Sequence, residues 1–364
     1  MLPSWDPPPW GANPRTALIP GSAGVGSWAG RGELAMSSVS GAEPALVEPA
    51  ATPAALTPTP PSAPASSGWV ARGGPQALGF RIATVLAAPM PRGLRYRLAD
   101  IGGSAAFAIL PGRARRARAN YSAFTPGDRG ASSKLARGAF RNYARTVLDF
   151  LVLEKLLDEL KQTPGAISLE PLHRALAAGK GAIVVTPHLG NWDLGAAAIA
   201  TCGSPVHAVT DPFGPPAVDG LVRATRERLG VRVIPVGPAS AREALRALRR
   251  NEVLLLACDI DKGGAGVPVS FLGRRVVLPV GPATLSLRTG APLIPGYMRR
   301  AADGLHESRL LEPLPGPRSG SGPAQVAELT QAIASSFEVM IRADPSQWFA
   351  FHSLTRPGAE GQSS

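Results

Sequence analysis

The sequence has few cysteines and no long apolar run. Cys202 and Cys258 are the only two cysteines among 364 residues, and neither belongs to a C-x-x-C motif. Two isolated thiols exclude a disulfide framework and a cysteine-type zinc site, so the domain is compatible with the cytosol. The longest apolar run, IGGSAAFAIL at 101–110, is much shorter than the roughly 20 residues needed to span a bilayer. The sequence therefore does not predict an integral membrane protein.

Other signatures are also missing. No G-x-S-x-G motif is present and no cysteine lies in a comparable turn, so no covalent nucleophile is evident. No positive cluster is followed by an apolar run of signal-peptide length. The basic stretch RRARAN at 115–120 lacks interleaved aromatic residues, and no nucleic-acid motif accompanies it. We therefore predict neither a secretory leader nor a nucleic-acid partner.

Proline is concentrated at the start of the chain. Residues 1–89 contain 15 of the 38 prolines and show no periodic apolar face, so packing could not repay the entropy of ordering them. We predict a disordered Pro/Ala-rich tail over 1–89 and one domain over 90–364; translation from Met90 is an alternative that the sequence leaves open. Charges balance within the tail, so the net charge of +12 belongs to the domain.

Arginines flank the short apolar segment 101–110 on both sides. They are Arg92, Arg95, Arg97, Arg113, Arg115, Arg116 and Arg118. This arrangement suits a helix that lies in the headgroup plane of a membrane, with its cations on anionic lipid. The alternative is an amphipathic helix packed on its own domain. We expect membrane-associating helices over 90–133.

The rest of the chain alternates between helical and strand patterns. Apolar residues recur at helical spacing over 134–160, which predicts one or two helices. Short β-branched runs follow at 182–186, 206–210, 231–236, 253–259 and 292–298, separated by helical stretches such as 218–230 and 240–251. This pattern predicts a single α/β domain with a largely parallel or mixed central sheet flanked by helices. Functional residues are expected at the carboxyl ends of its strands.

The segment TPHLGNWDLGAAA, at 186–198, lies at such an end. It carries His188 after a buried strand, and Asn191 or Asp193 near the start of the next helix. Asp193 could accept the Nδ1 proton of His188, which would leave Nε2 as a general base. The Gly190 N–H and the helix N-terminus could stabilise an oxyanion. The alternative is a buried histidine that caps a helix, with Asp193 as a simple N-cap.

A base without its own nucleophile suggests that the substrate supplies one, for example a hydroxyl that attacks an activated acyl group.

The same segment resembles the H-x-x-x-x-[DE] block of the lysophospholipid acyltransferase superfamily. The resemblance is to its branch of lipid A lauroyl/myristoyl acyltransferases and phosphatidylinositol mannoside acyltransferases. Three further blocks agree in the same order, at 218–236, 254–300 and 344–357. Together the blocks cover about 93–357, and it is their combination that is specific.

The resemblance implies a reaction and a set of roles. The reaction is acyl transfer from acyl-CoA or acyl carrier protein to a hydroxyl of a glycolipid or phospholipid, with no metal, no cofactor and no covalent acyl-enzyme. His188 would be the general base and Asp193 its orienting partner. Asp211, in VTDPFGPP, would hold the acceptor or support the base, although relatives commonly carry Glu there.

Other residues are candidates for substrate contacts. Arg223, Arg226 and Arg228 share one predicted helix and suit a substrate phosphate; the alternative is a solvated cationic face. Gly273 and Gly281 would allow a close backbone approach to substrate. Gly190 and Asn191, beside the base, are further candidates for substrate binding.

Several further residues fit a structural role at least as well. Phe271 and Leu278 fit an acyl channel or, better, core packing. Asp259 and Asp261 follow a strand and fit a loop cap as well as a substrate contact. Three residues of the last block are interpreted as structural, namely Trp348, Phe351 and His352.

The basic domain would attract acyl carrier protein, CoA and anionic membrane lipid, all of which are negatively charged. We expect peripheral attachment to the cytoplasmic face of the cell membrane. Two features resemble the phosphatidylinositol mannoside branch more than the lipid A branch. They are Asp at 193, where lipid A enzymes usually have Glu, and the missing membrane anchor. A lipid A precursor is the other candidate acceptor. Two other classes remain open, an acyl-ester or thioester hydrolase using the same dyad and a catalytically silent lipid-binding protein.

Overall fold

Eight strands form two sheets in the part of the chain that the structure describes. The computed structural model describes residues 74–261, 266–316 and 322–354. The strands are β1 (Ala182–Thr186), β2 (Val206–Thr210), β3 (Val231–Pro235), β4 (Val253–Ala257), β5 (Val267–Phe271), β6 (Arg274–Leu278), β7 (Leu293–Arg300) and β8 (His306–Leu310).

Helices precede the strands and alternate with them. They are α1 (Pro75–Ala87), α2 (Arg92–Ile109), α3 (Pro111–Tyr121), α4 (Arg129–Phe150), α5 (Leu153–Gln162), α6 (Glu170–Ala177), α7 (Trp192–Ala200), α8 (Pro216–Arg228), α9 (Ser240–Arg249), α10 (Gly281–Thr289) and α11 (Pro323–Ala343). A short 3₁₀ turn, Pro345–Gln347, follows α11.

The main sheet has the strand order β3-β2-β4-β1-β7-β8, and β5 pairs with β6 in a separate hairpin. Strands β3, β2, β4, β1 and β7 run parallel to one another, and the edge strand β8 is antiparallel to β7. All five residues of β1 are buried, because helices cover both faces of the sheet. The predicted α/β domain with a largely parallel or mixed sheet is confirmed.

The boundaries differ from the expected ones at a few places. Strand β3 ends one residue early, β4 ends at Ala257 instead of 259, and β7 continues to Arg300. The segment 134–160, for which one or two helices are predicted, is divided between the two helices α4 and α5. Residues 75–87 belong to the predicted tail but form α1. Residues 1–73 of the predicted tail lie outside the described part.

Helices α1 and α2 carry exposed apolar side chains. These are Leu78, Ile82, Val85 and Leu86 on α1, and Leu94, Leu98, Ile101 and Ile109 on α2. The α1 residues recur at a spacing of three or four, so they form one helical stripe. Among the described residues, no helix combines the length and apolarity needed to cross a bilayer.

The arginines around 101–110 have several different environments. Arg95 is buried, and Arg92 pairs with Glu159. Arg116 donates to the Phe351 carbonyl oxygen, and Arg118 lies 4.5 Å from the ring centroid of Phe107. The expectation that all seven cations face lipid is therefore wrong for Arg95, because the fold uses that charge internally.

Arg95 belongs to a buried ionic cluster around Asp149 of α4. The Asp149 carboxylate is fully buried and accepts from Arg95, Tyr96 and Arg300, and His306 Nε2 lies 3.3 Å away. Burial alone would raise the pKa of Asp149, but the hydrogen bonds and charges of His306 and Arg300 outweigh it and hold the pKa low. The cluster fixes α2 and α4 against β7 and β8.

We expect Asp149→Asn to lower the free energy of unfolding by about 3–5 kcal/mol, because two buried guanidinium groups lose their counter-charge. Urea unfolding followed by circular dichroism measures the change. Asp100→Asn is the control, since Asp100 pairs with the partly exposed Arg141 and Arg145 and its loss should cost about 1 kcal/mol. Equal losses in the two variants would contradict a special role for the buried cluster.

Candidate active site

Two neighbouring strands bring His188 and Asp259 together. Thr186 at the end of β1 is opposite Ala257 at the end of β4 in the parallel register. Each chain continues for two residues beyond that pair, so His188 and Asp259 reach the same carboxyl edge of the sheet side by side.

His188 and Asp259 form a direct hydrogen bond. The distance from His188 Nδ1 to Asp259 Oδ1 is 2.6 Å, and the Trp348 indole N–H donates to the other carboxylate oxygen at 2.9 Å. Burial alone would raise the pKa of Asp259, but His188 and the Trp348 hydrogen bond outweigh it and lower that pKa. Asp259 is therefore ionised and can only accept, so Nδ1 of His188 carries a proton. In the neutral imidazole, the lone pair is then on Nε2.

The segment after α11 holds the backbone around His188. Phe349 N–H donates to the His188 carbonyl oxygen at 2.8 Å, and Gly190 N–H donates to the Gln347 carbonyl oxygen at 2.8 Å. Leu189 and Trp348 form an antiparallel bridge between these bonds. The last block of the sequence thus fixes both the histidine and its carboxylate partner, which goes beyond the structural interpretation given to Trp348.

Gly190 and Asn191 have structural roles in the turn between β1 and α7. A Cβ at Gly190, whose φ is +64°, would lie 1.8 Å from the Met298 carbonyl oxygen, so only glycine fits. The Gly190 N–H already donates to the Gln347 carbonyl oxygen. The expectation that this N–H binds an oxyanion is therefore wrong. Asn191 is buried and caps α7 by accepting from Leu194 N–H at 3.1 Å. Neither residue lines the cavity described below.

Asp193 has a different partner from the one expected. Its carboxylate accepts from Arg226 Nε at 2.7 Å and from Arg226 Nη2 at 3.4 Å. Asp193 lies on the first turn of α7 and Arg226 on α8, and both side chains are nearly buried. The hydrogen bond expected between Asp193 and His188 Nδ1 is replaced by the one to Asp259, because Nδ1 faces β4 and the fork of Arg226 binds Asp193.

A cavity of about 610 Å³ opens beside His188. Its lining includes successive residues of β4, Leu255 and Leu256, whose side chains belong to opposite faces of the sheet. On the α7 side, Ala196 and Val231 continue the wall, and mostly apolar residues of α9 and α10 line the other side, namely Ala241, Ala244 and Leu285. The cavity is therefore largely apolar, with His188 at the sheet edge.

The remaining predicted contacts fall into two groups. Asp211 at the end of β2 and Gly281 at the start of α10 line the cavity, as do Asp193 and Arg226. Arg223 is outside the lining, and Arg228 pairs with Glu154 on the protein surface. The three arginines of α8 thus do not form one substrate-facing group.

The other residues singled out in the sequence also differ in location: some are in the core and others line the cavity. Phe271 and Leu278 are buried in the core of the β5–β6 hairpin and do not line the cavity, which confirms the core-packing interpretation. Phe351 and His352 do line the cavity. Among the described residues, no group of three or more His, Cys, Asp or Glu side chains is placed to hold a metal ion.

Asp259 and Trp348 contribute more to the site than their sequence context indicates. Asp259 carried a usable signal, because it follows a buried strand just as His188 does. The sequence did not show that those two strands, β1 and β4, are neighbours with matching registers. Trp348 carried no local signal, since its partner lies 89 positions away in the chain.

Comparison of the sequence with known proteins shows similarity to acyltransferases in each case. The sequence model of the bacterial lipid A biosynthesis acyltransferase family matches residues 76–356. A phosphatidylinositol mannoside acyltransferase of Mycobacterium tuberculosis is 34% identical over 197 residues, which cover 53% of this chain and 60% of that protein. Its namesake from Mycolicibacterium smegmatis is 28% identical over 75% of this chain and 87% of that protein. A lipid A biosynthesis acyltransferase of Haemophilus influenzae is 28% identical over 54% of this chain and 60% of that protein.

We expect Asp193→Asn to lower the free energy of unfolding by about 3 kcal/mol, because it leaves the nearly buried Arg226 without a counter-charge. Chemical unfolding measures this loss. The control is Arg228→Gln on the same helix, which breaks a pair about 60% exposed on both sides and should change stability by less than about 1 kcal/mol. A loss in Asp193→Asn no larger than that of the control would contradict the assignment of a stabilising pair.

Proposed function

Since the chain belongs to the bacterial lipid A biosynthesis acyltransferase family, we propose that it transfers a fatty acyl group from a thioester to a lipid hydroxyl. The observation that carries this proposal is the 2.6 Å bond between His188 Nδ1 and the buried Asp259 carboxylate at the wall of an apolar cavity. That arrangement gives a general base beside a space that suits an acyl chain.

In the proposed reaction, His188 Nε2 takes the proton from the acceptor hydroxyl. The acceptor oxygen then bonds to the thioester carbonyl carbon, and collapse of the tetrahedral intermediate breaks the carbon–sulfur bond. The leaving sulfur takes the proton back from His188. Asp259 keeps the ring in the tautomer that exposes the Nε2 lone pair and stabilises the transient imidazolium.

The negative charge on the intermediate needs hydrogen-bond donors, and Gly190 does not provide one. Helix α10 begins at Gly281 in the cavity lining. The N–H groups of the first turn of a helix have no intrahelical acceptor and carry partial positive charge. We assign the oxyanion to this helix terminus, which keeps Gly281 among the substrate-binding residues.

A covalent acyl-enzyme on cysteine is disfavoured by the environment of Cys258. This thiol lines the cavity next to Asp259. Burial, with the charge of Asp259 as a second cause, raises the pKa of the thiol well above its usual value. The thiolate is the nucleophilic form of cysteine, so direct attack by the substrate hydroxyl is the favoured route.

The proposed substrates follow from the relatives and from the surface charge. Relatives named phosphatidylinositol mannoside acyltransferase support a glycolipid or phospholipid acceptor, and the one named lipid A biosynthesis acyltransferase supports a lipid A precursor as the other candidate. Acyl-CoA and acyl carrier protein are the candidate donors, and both suit a domain that carries the chain's net charge of +12. No cofactor takes part in this scheme.

We further propose that the protein attaches peripherally to the cytoplasmic face of the cell membrane. The exposed apolar residues of α1 and α2 support this, because side chains such as Ile82 and Val85 are 50% and 71% exposed. Arg97 on α2 is also exposed and can contact anionic headgroups. The membrane surface would then present the lipid acceptor to the cavity.

To test the reaction, thiol release from palmitoyl-CoA is measured with and without polar lipids. We expect lipid-dependent release that falls about 10²–10⁴-fold in His188→Ala and about 10²-fold in Asp259→Asn, because the neutral amide neither stabilises the imidazolium nor fixes the ring tautomer. Asp158→Asn, an exposed carboxylate on α5, is the control and should keep the wild-type rate.

Other outcomes of that assay have distinct meanings. Release without added lipid that is lost in His188→Ala would indicate a hydrolase. If neither palmitoyl-CoA nor acyl carrier protein loaded with the same acyl group is consumed, the acyltransferase proposal is wrong and a lipid-binding protein is the remaining interpretation. A near-normal rate in Asp259→Asn would remove the assigned role of the carboxylate.

To test membrane attachment, sedimentation with vesicles of anionic or zwitterionic phospholipid is compared. We expect Ile82→Ser combined with Val85→Ser to weaken binding to anionic vesicles about tenfold or more, because two large apolar side chains no longer enter the interface. The control combines Val147→Ser with Val339→Ser, which changes two exposed apolar residues on α4 and α11. Equal effects of the two double variants, or equal binding to zwitterionic vesicles, would contradict the proposal.

A further inference from the structure

Arg113 lines the same cavity as His188 but has no part in the scheme above. It lies on the first turn of α3, and its side chain is exposed. Its helix neighbours Arg116 and Arg118 hydrogen-bond to the protein, and Arg226 is bound to Asp193. Among the residues that the structure describes, Arg113 is in no ion pair and no hydrogen bond. A guanidinium at a cavity mouth without a protein counter-ion is placed to bind an anion.

Tyr143 of α4 adds a second polar group to the same cavity wall. Burial raises the pKa of its hydroxyl, although the charge of Arg113 acts in the opposite direction. The hydroxyl is therefore protonated at neutral pH and can donate a hydrogen bond. Phe349 and Phe351 hold the ring, with centroid distances of 5.2 and 5.4 Å, so the position of the donor is fixed.

The position on α3 strengthens the attraction for anions. Arg113 lies on the first turn of an 11-residue helix, where unpaired backbone N–H groups and the helix dipole favour negative charge. The only acidic cavity-lining residue on α7, Asp193, is already neutralised by Arg226. Because Arg226 already binds Asp193, this carboxylate does not cancel the charge of Arg113.

We propose that Arg113 and Tyr143 bind a phosphate group of a substrate at the cavity mouth and so position that substrate against His188. The planar guanidinium fork matches two phosphate oxygens, and the tyrosine hydroxyl donates to a third. This inference rests on the proposed acyl transfer. The phosphate belongs either to the phosphopantetheine of the donor or to the phosphodiester of a phospholipid acceptor, and the two share the same recognition chemistry.

Equilibrium binding separates the two sources without requiring turnover. Isothermal titration of the full chain compares 4′-phosphopantetheine with pantetheine, and glycerophosphoinositol with inositol. We expect the wild type to prefer the phosphorylated member of one pair by about tenfold or more. The pair that shows the preference identifies the substrate that carries the phosphate.

Variants assign this preference to the two residues. Arg113→Gln should reduce it to less than about twofold, Tyr143→Phe should reduce it severalfold, and Arg113→Lys should restore part of it. Arg129→Gln is the matched control, since Arg129 is also an exposed arginine on the first turn of a helix but does not line the cavity. It should leave the preference unchanged.

Two results would overturn the inference. One is a wild type that binds both members of each pair equally, as expected if Arg113 contacts only bilayer headgroups. The other is a phosphate preference that persists in Arg113→Gln. Because these are binding measurements, they remain decisive even if the protein transfers no acyl group, whereas failure of the proposed reaction is detected by the thiol-release assay.

Discussion

The candidate site depends on the hydrogen bonds that the buried carboxylate of Asp259 accepts. A charge in this position is costly unless its oxygens are hydrogen-bonded, and here His188 and Trp348 each donate to one oxygen. These two bonds join the turn after β1, the end of β4 and the segment after α11. The same contact that makes the buried charge tolerable therefore also orients the imidazole, so stability and proposed chemistry share one set of atoms.

Two acidic residues near His188 have separate tasks. Asp259 faces the ring nitrogen Nδ1. Asp193 on α7 accepts two hydrogen bonds from Arg226 on α8. The five-residue spacing between His188 and Asp193 places both in the cavity wall without making them hydrogen-bond partners. A histidine and a carboxylate one helical turn apart in sequence are thus not sufficient to identify a dyad.

The arginines show how a basic composition is distributed by the fold. Arg95 and Arg300 neutralise the buried Asp149, and Arg226 neutralises Asp193. Such groups contribute to net charge but are not available to a partner. Exposed cations such as Arg97 and Arg113 are the ones that can contact lipid or a substrate phosphate, and only Arg113 of these two lines the cavity.

The sequence by itself determined the α/β class, most strand positions and the place of His188 at a strand end. Those features follow from apolar periodicity and from Pro187 and Gly190, which are local signals in the chain. Only the tertiary structure decided that Asp259 is the partner of His188, because this requires β4 to lie beside β1 in a matching register. The indole hydrogen bond of Trp348 likewise joins residues 89 positions apart. Strand order and long-range side-chain contacts arise from packing of the whole domain, and no local pattern of residues encodes them.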